Sequence, residues 1–340
     1  MGIRAAVFGA SGYAGGELVR LIDAHPSMEV SHLAAHSAAG RPLGELHPHL
    51  GGSHRQLQSL DADAGSPEIA FLALPHGASG ELAADLAASG AIVVDLGADH
   101  RFADPALFEA TYGSPHPHPG SLTDWVYGLP ELVSVAGATR VAVPGCYPTA
   151  TTLALAPLVG SGAVLSDGVV VDALSGVSGA GRSTKEATAF GAVAESVRAY
   201  GVGTHRHRPE MEDAVSRITG IRPAIVFTPH LVPMQRGLLA TVYARLADGV
   251  GLADLMDVYS DAYGEAPFVS VGTESPQTRW VVGSNKCLIG VFVDEPTGTA
   301  VVVSAIDNLV KGAAGQAVQC ANLVTGLDEA AGLTSVGWMP

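Results

Sequence analysis

IRAAVFGASGYAGGELVRLIDAHP, residues 3–26, is the stretch whose reading decides the fold. An apolar run suited to a buried strand passes into a glycine-rich turn, and the turn into a segment with the apolar period of a helix. Gly9, Gly12 and Gly15 recur at every third residue, close to the G-x-G-x-x-G fingerprint but with the early glycines differently spaced. Glycines here let the chain turn sharply and let its backbone approach a pyrophosphate at the helix N-terminus. Ser11 and Tyr13 add hydroxyl or amide contacts to such a group. Many α/β folds use a glycine turn merely to change direction, so the signal rests on the strand before it and the helix after it.

The same alternation continues. MEVSHLAAHS (28–37), EIAFLALPHG (68–77) and AIVVDLGADHRF (91–102) read as strands, with an alanine-rich helix, GELAADLAASG (80–90), between the last two. Strands alternating with helices imply a parallel, doubly wound sheet of the Rossmann type, with ligands outside the carboxyl ends of its strands. The end of the second strand discriminates between nucleotides. A carboxylate there binds the ribose 2′-hydroxyl of NAD and repels a 2′-phosphate. This chain offers His36 and Ser37, then Arg41, so NADP is the expected cofactor; the plainer reading is a solvated loop.

Composition narrows the classes. At 340 residues two domains are expected, and 47% hydrophobic residues with 42 glycines describe a compact, loop-rich chain. Lys and Arg total 18 against 33 acidic residues, a formal charge of −15, which repels polyanions and argues against nucleic acid. No apolar run reaches the roughly 20 residues of a membrane span, and the chain enters its first strand where a signal peptide would stand. A cytoplasmic protein is expected. Cys146, Cys287 and Cys320 form neither a disulfide framework nor a zinc spacing, and the latter two read as packing residues.

Cys146 has different surroundings. In VAVPGCYPTA (141–150) it follows a short strand and precedes YPTATTLALAPLV, where Pro148 suits a first helical turn and the threonines are candidate caps. A helix N-terminus favours a thiolate. Thiolate attack on an activated acyl group gives a thioester, which hydride from NADPH reduces to an aldehyde; this divides one difficult reduction into two easier steps. Such chemistry needs an acid/base. Of the thirteen histidines, those in HPHL (47–50) and HPHPG (116–120) read as surface loops. AYGVGTHRHRPEME (199–212) instead sets His205, Arg206, His207 and Arg208 in a basic cluster, with Glu210 three residues after His207, in reach to orient its imidazole. A metal at His205 and His207 lacks a third ligand, so none is expected; a solvated basic loop is the bland alternative.

Together these pieces resemble the N-acetyl-γ-glutamyl-phosphate reductase family, within the aspartate-semialdehyde dehydrogenase superfamily. The resemblance rests on GASGYAG (9–15), YGLPEL (127–132), PGCYPTA (144–150), SGVSGAGR (175–182), HRHRPE (205–210) and AIDNLVKGAAGQAVQ (305–319), in order along the whole chain. It implies Cys146 as nucleophile and His207 as acid/base, since the family's base stands immediately before x-P-E, with Glu210 as its support. Arg101 matches a superfamily position facing the acyl-phosphate, although His100 stands where the family commonly has phenylalanine. Arg182, His205 and Arg206 are further substrate candidates. Ser178 and Gly179, in a glycine-rich turn, and Ser284 and Asn285, in VVGSNKC (281–287), are candidates for cofactor or active-site contacts.

Beyond residue 150 the pattern changes. GVVVDALS (168–175), RPAIVFTPHL (222–231), GLLATVYARL (237–246), IGVFVDE (289–295) and TAVVVSAID (299–307) read as strands, the last two joined by a hairpin at Pro296–Gly298, with a helix over GLADLMDVYSDAYG (251–264). A largely antiparallel α+β domain is expected, which the family uses for catalysis and subunit contact. Residues 308–326 read as a small-residue helix that, by the resemblance, returns to the nucleotide domain. The expected domains are thus 1–145 with 308–340 for NADP, and 146–307 for catalysis and oligomerisation. The implied protein is a homo-oligomeric reductase, dimer or tetramer, that takes a small acyl-phosphate and releases phosphate. Aspartyl phosphate and N-acetyl-aminoadipyl phosphate remain alternatives to N-acetyl-L-glutamyl 5-phosphate, and a non-catalytic NADP-binding regulator is a rival of another class.

Overall fold

The computed structural model describes residues 2–183 and 186–338; Met1, Thr184, Lys185, Met339 and Pro340 lie outside it. The chain divides into two compact units, one of residues 1–130, 134–144 and 313–333, the other of 131–133, 145–312 and 334–340.

In the first unit, β1 (Ile3–Phe8), β2 (Met28–Ala34), β3 (Ile69–Leu72), β4 (Ile92–Asp95), β5 (Val126–Tyr127) and β6 (Arg140–Ala142) form one parallel sheet in the order β2-β1-β3-β4-β6-β5. Its helices are α1 (Tyr13–Asp23), the single turn α2 (Leu43–Leu46), α3 (Gly80–Ala88), α4 (Pro105–Tyr112) and the chain's last helix, Gly315–Val324. Strand residues alternate between two cores, as the two-residue period of a strand requires. Ala5, Val7, Ile69 and Phe71 pack with Leu18 and Ile22 of α1 and Ala317 and Val318 of the last helix. Ala6, Phe8, Ala70 and Leu72 pack with Ala83 and Leu86 of α3. Both faces are covered, which is why these strands are apolar throughout. From β1 the chain goes to β2 on one side and β3 on the other, so the carboxyl end of β1 is a topological switch point, where such sheets bind ligands.

The second unit opens with α5 (Cys146–Ser161) and continues through β7 (Val169–Ser175), α6 (Phe190–Val193), β8 (Arg198–Ala199), α7 (His207–Thr219), β9 (Ile225–Leu231), β10 (Leu238–Arg245), α8 (Leu252–Tyr263), β11 (Val269–Gly272), β12 (Cys287–Asp294) and β13 (Thr299–Ile306). Its seven strands run in the order β11-β12-β13-β10-β7-β9-β8; β11–β12 and β7–β9 are parallel and the other pairs antiparallel. The β12–β13 hairpin closes where the sequence places it, with Gly298 at φ +60°.

Helix α5 is buried on nearly every side, the expected setting for a helix without a polar face. Pro157 sits inside it and has no N–H for the carbonyl of Leu153. Tyr263 of α8 supplies the missing donor, its hydroxyl 2.7 Å from that carbonyl, and Tyr259 donates to the carbonyl of Ala154. The two tyrosines, one helical turn apart, thus satisfy a break made more than a hundred residues earlier in the chain.

The expected helix over 308–326 is only partly helical in the ordinary sense. Residues Val310–Ala314 form a wide turn in which Gly312 N–H bonds the Asp307 carbonyl five residues back, at 2.9 Å, and α9 proper runs Gly315–Val324.

Candidate functional site

The turn after β1 is built around missing side chains. Gly9 has φ +88°, and a Cβ there would stand 2.2 Å from the Ala73 carbonyl oxygen at the end of β3. A Cβ on Gly15 would stand 2.2 Å from the Gly9 oxygen. Gly12 caps α1 in extended conformation; no side chain caps this end, and its first turn carries no acidic residue. Its N–H groups and dipole are therefore arranged for an anion. Ser11 is half-buried and Tyr13 exposed beside it. Past the end of β2, His36 and Ser37 are exposed, and Arg41 makes an exposed i,i+4 ion pair with Glu45 at 3.2 Å, which is weak enough to exchange. These groups fit a 2′-phosphate.

Two histidines expected at the surface are buried. His47 places Nε2 3.1 Å from the Ala10 carbonyl, against Gly16, whose missing Cβ makes room for the ring. His116 is buried against the edges of His100 and Phe108. His100 does the stacking expected of a phenylalanine, lying 3.8 Å from the Trp125 ring, and adds a 2.7 Å bond from Nδ1 to Asp95. Arg101 beside it is buried. Its Nε and Nη2 donate to the carbonyls of Val143 and Leu96, each at 2.9 Å, so much of its capacity serves the strand ends.

In the second unit, Cys146 is the first residue of α5 and half-buried. Gly145 caps the helix. The threonines do not cap it; Thr149, Thr151 and Thr152 are buried further along. The Gly145 N–H instead donates to Glu210 Oε1 at 2.9 Å, and Glu210 is fully buried. The same carboxylate thus also holds the residue preceding Cys146. Glu210 and His207 share the first turn of α7, which packs alongside α5.

Tyr147, next to Cys146, is edge-on to His207 at 5.9 Å and to His205 at 5.8 Å, and the two histidine rings are 4.8 Å apart. Its hydroxyl lies 3.0 Å from that of Tyr200, and burial raises both phenols above their ordinary range. Burial among Tyr147, Tyr200 and Phe227, reinforced by Arg206, pushes His205 down to about 4. His205 is thus neutral near pH 7; it brings an aromatic edge and an Nδ1 acceptor for the His207 backbone N–H at 3.2 Å. Arg206, Arg208 and Arg182 are exposed.

The depressed His205 value has a measurable consequence. Between its ordinary 6.5 and about 4, the unfolded chain takes up a proton that the folded chain refuses, so stability falls as pH falls through that window. His205→Asn, which keeps an acceptor near Nδ1, should flatten the loss of urea midpoint between pH 6.5 and pH 4.5. An unchanged slope would refute the assignment.

The sequence pattern gave no role to Asp307 and Asn308, which gather the loops of this unit. Asp307, fully buried, accepts from Leu309 and Gly283 N–H at 2.8 and 2.7 Å and pairs with Arg236 at 3.1 Å. Asn308 accepts from Gly237 N–H and donates to Ser178 Oγ, at 2.8 and 2.9 Å. Ser178 and its neighbour Gly179 are therefore tied to this hub, and Gly283 leads into Ser284 and Asn285, both buried. An acidic-amide pair directly after an apolar strand was the available signal. The other cysteines are buried, and burial pushes Cys287 up to about 11. Among the described residues no three His, Cys, Asp or Glu are placed to hold a metal, and no helix is long and apolar enough to cross a membrane.

Comparison with known proteins agrees with this architecture. Residues 4–138 match the semialdehyde dehydrogenase NAD binding domain and residues 146–308 the semialdehyde dehydrogenase dimerisation domain. The chain is 47% identical to the N-acetyl-gamma-glutamyl-phosphate reductase of Paenarthrobacter aurescens, over 100% of both chains. It is 45% identical to that of Heliobacterium modesticaldum, over 99% of this chain and 100% of the other. The chain belongs to this reductase family. Among solved structures, aspartate semialdehyde dehydrogenase II of Vibrio cholerae, complexed with ASA, shares the fold with a TM-score of 0.70 at 20% identity, covering 96% of this chain and 99% of that one. The NADP complex of aspartate semialdehyde dehydrogenase from Candida albicans gives 0.65 at 16% identity, over 95% and 98%.

Proposed function

We propose that this protein reduces N-acetyl-L-glutamyl 5-phosphate with NADPH, giving N-acetyl-L-glutamate 5-semialdehyde and phosphate, a step of arginine biosynthesis. The observation that carries the reading is a cysteine at a helix N-terminus, backed by a buried carboxylate, in a chain 44–47% identical over its full length to reductases of that name.

Cys146 is the nucleophile. Its Sγ attacks the acyl carbon, the bond from that carbon to the phosphate oxygen breaks, and a thioester remains on Cys146. Gly9, Ser11, Gly12, Tyr13 and Gly15 would hold the pyrophosphate of NADPH, and Ser37 and Arg41 its 2′-phosphate; bound there, the cofactor would supply the hydride that reduces the thioester. His207 hands a proton to the oxygen that gains charge and takes it back as the carbon–sulfur bond breaks, releasing the aldehyde and restoring the thiolate. Glu210 holds Gly145 and so the start of α5. Arg206 and Arg182, exposed cations in a strongly acidic chain, are assigned to the substrate phosphate, and Ser178, Gly179 and Asn285 to the walls of the reaction centre.

The test runs the reaction in reverse, reading NADPH formation from NADP, phosphate and each of three aldehydes. N-acetylglutamate semialdehyde should be strongly preferred. Preference for aspartate semialdehyde or the N-acetyl-aminoadipate analogue would keep the chemistry and overturn the substrate; no activity with any of them favours the regulator.

The assigned assembly is a homo-oligomer built on the second sheet. One face carries Phe227, Val171, Val242, Val302 and Val291 in a buried row beneath the helices. On the other, Val226, Val170, Tyr243, Val301 and Phe292 form a row across five strands, with Val226 59% and Tyr243 37% exposed in the single chain. An apolar row of that length is suited to a second copy of itself. Tyr243→Lys combined with Val226→Lys should shift the mass in solution toward the monomer; an unchanged mass places the contact elsewhere.

A further inference from the structure

YGLPEL, residues 127–132, is the motif to which the reaction gives no task, and Glu131 within it is buried. Its Oε1 lies 2.5 Å from Lys311 Nζ, with both side chains 0% exposed. The Phe268 ring lies 5.9 Å from the ammonium, and Tyr263 and Cys287 stand within the field of the carboxylate. Burying such a pair costs desolvation that mutual attraction does not reliably return, and apolar residues of similar volume often hold a core as well or better. Stability alone therefore does not account for it.

Position does. Lys311 belongs to the wide turn Val310–Ala314, and the next residue, Gly312, is where that turn meets Cys146. A Cβ at Gly312 would stand 2.8 Å from the Cys146 Cβ and 3.3 Å from its Cα. Wide turns of this kind are rarer than ordinary helix and recur at functional sites. Relaxing this one to a regular helix would rotate the register by about 100° for each residue removed. Lys311 or Ala313 would then replace Gly312 against the cysteine, and either brings a Cβ for which there is no room. Asp307 pins the start of the turn through the Leu309 and Val310 N–H groups, at 2.8 and 3.2 Å; the Glu131–Lys311 pair pins its middle.

We propose that Glu131 and Lys311 are positioning residues for Cys146: their ion pair fixes the turn register that presents Gly312, and so sets the cysteine at the mouth of α5. The proposal rests on Cys146 being the nucleophile.

The test uses the full-length protein and the double variant Glu131→Leu/Lys311→Met. Four quantities are read: thermal midpoint, kcat and KM, the iodoacetamide alkylation rate of Cys146 by peptide mass spectrometry, and the pH dependence of that rate. The apolar pair should keep the fold, with a midpoint within ~5 °C of the parent. With KM within about twofold, kcat should fall about tenfold to a hundredfold, the scale of a small misplacement. The Cys146 alkylation rate should change at least about threefold with a displaced pH midpoint, since thiol reactivity follows its electrostatic setting. Parent-like kcat and alkylation in a folded double variant would overturn the proposal. Should that variant not fold, Glu131→Gln is measured in its place with the same readings and the same overturning result. Failure of the underlying reading looks different: Cys146→Ser retains turnover, or Cys146 in the parent is alkylated no faster than buried Cys287 and Cys320.

Discussion

Cys146→Ser should lower kcat at least about 1,000-fold, the scale of losing a covalent nucleophile, while NADP affinity stays within about twofold of the parent because no part of the cradle around Gly9 changes. The oxygen is smaller than the sulfur it replaces, so neither the α5 start nor the approach of Gly312 at 2.8 Å is disturbed. A hydroxyl is far harder to ionise than a thiol, and nothing in the first turn of α5 adds a base of its own. Turnover measured by NADPH absorbance and NADP binding by fluorescence separate the two effects. Residual turnover above about 0.1% of the parent would contradict the thioester route.

The longer strands and the glycine turn were legible because they are local. β1 to β4 carry their burial in their composition, and the positive φ of Gly9 is announced by glycine itself, whereas the short β5 and β8 and the edge strand β11 left no such signal. The place of Cys146 at a helix start could be read because it too is local: a small apolar strand, Pro-Gly, then a helix start surround it within ten residues. What escaped is nonlocal. Proline-spaced His47 and His116 look like loop residues, and their burial is decided by the Ala10 carbonyl and by the rings of His100 and Phe108. Tyr259 and Tyr263 look like ordinary helix core until the orphaned Leu153 carbonyl above Pro157 is known. Glu210 lies three residues from His207, a proximity visible in the sequence, whereas the 2.9 Å bond it accepts from the Gly145 N–H, sixty-five residues away, is not. Such choices depend on which helices pack together, and one sequence carries no record of that.

That difference separates two variants on one helical turn. His207→Asn removes the proposed proton carrier and should lower kcat about 100- to 10,000-fold in both directions, with the limb of the pH–rate profile assigned to it lost. Glu210→Gln keeps a side-chain oxygen for the Gly145 N–H but weakens a charge-assisted bond, a change of about 1–2 kcal/mol in stability. Acting through the backbone before Cys146, it should lower kcat only about tenfold and leave the His207 limb at its parental pH. A Glu210→Gln profile whose limb moves with the rate would mean that the carboxylate works on the imidazole after all. A profile lowered but unshifted assigns it to the loop. Glu210→Ala sharpens the contrast, because it strands the Gly145 N–H at a fully buried position and should cost about 1–3 kcal/mol of folding stability, measurable as a urea midpoint, beyond whatever it costs in rate.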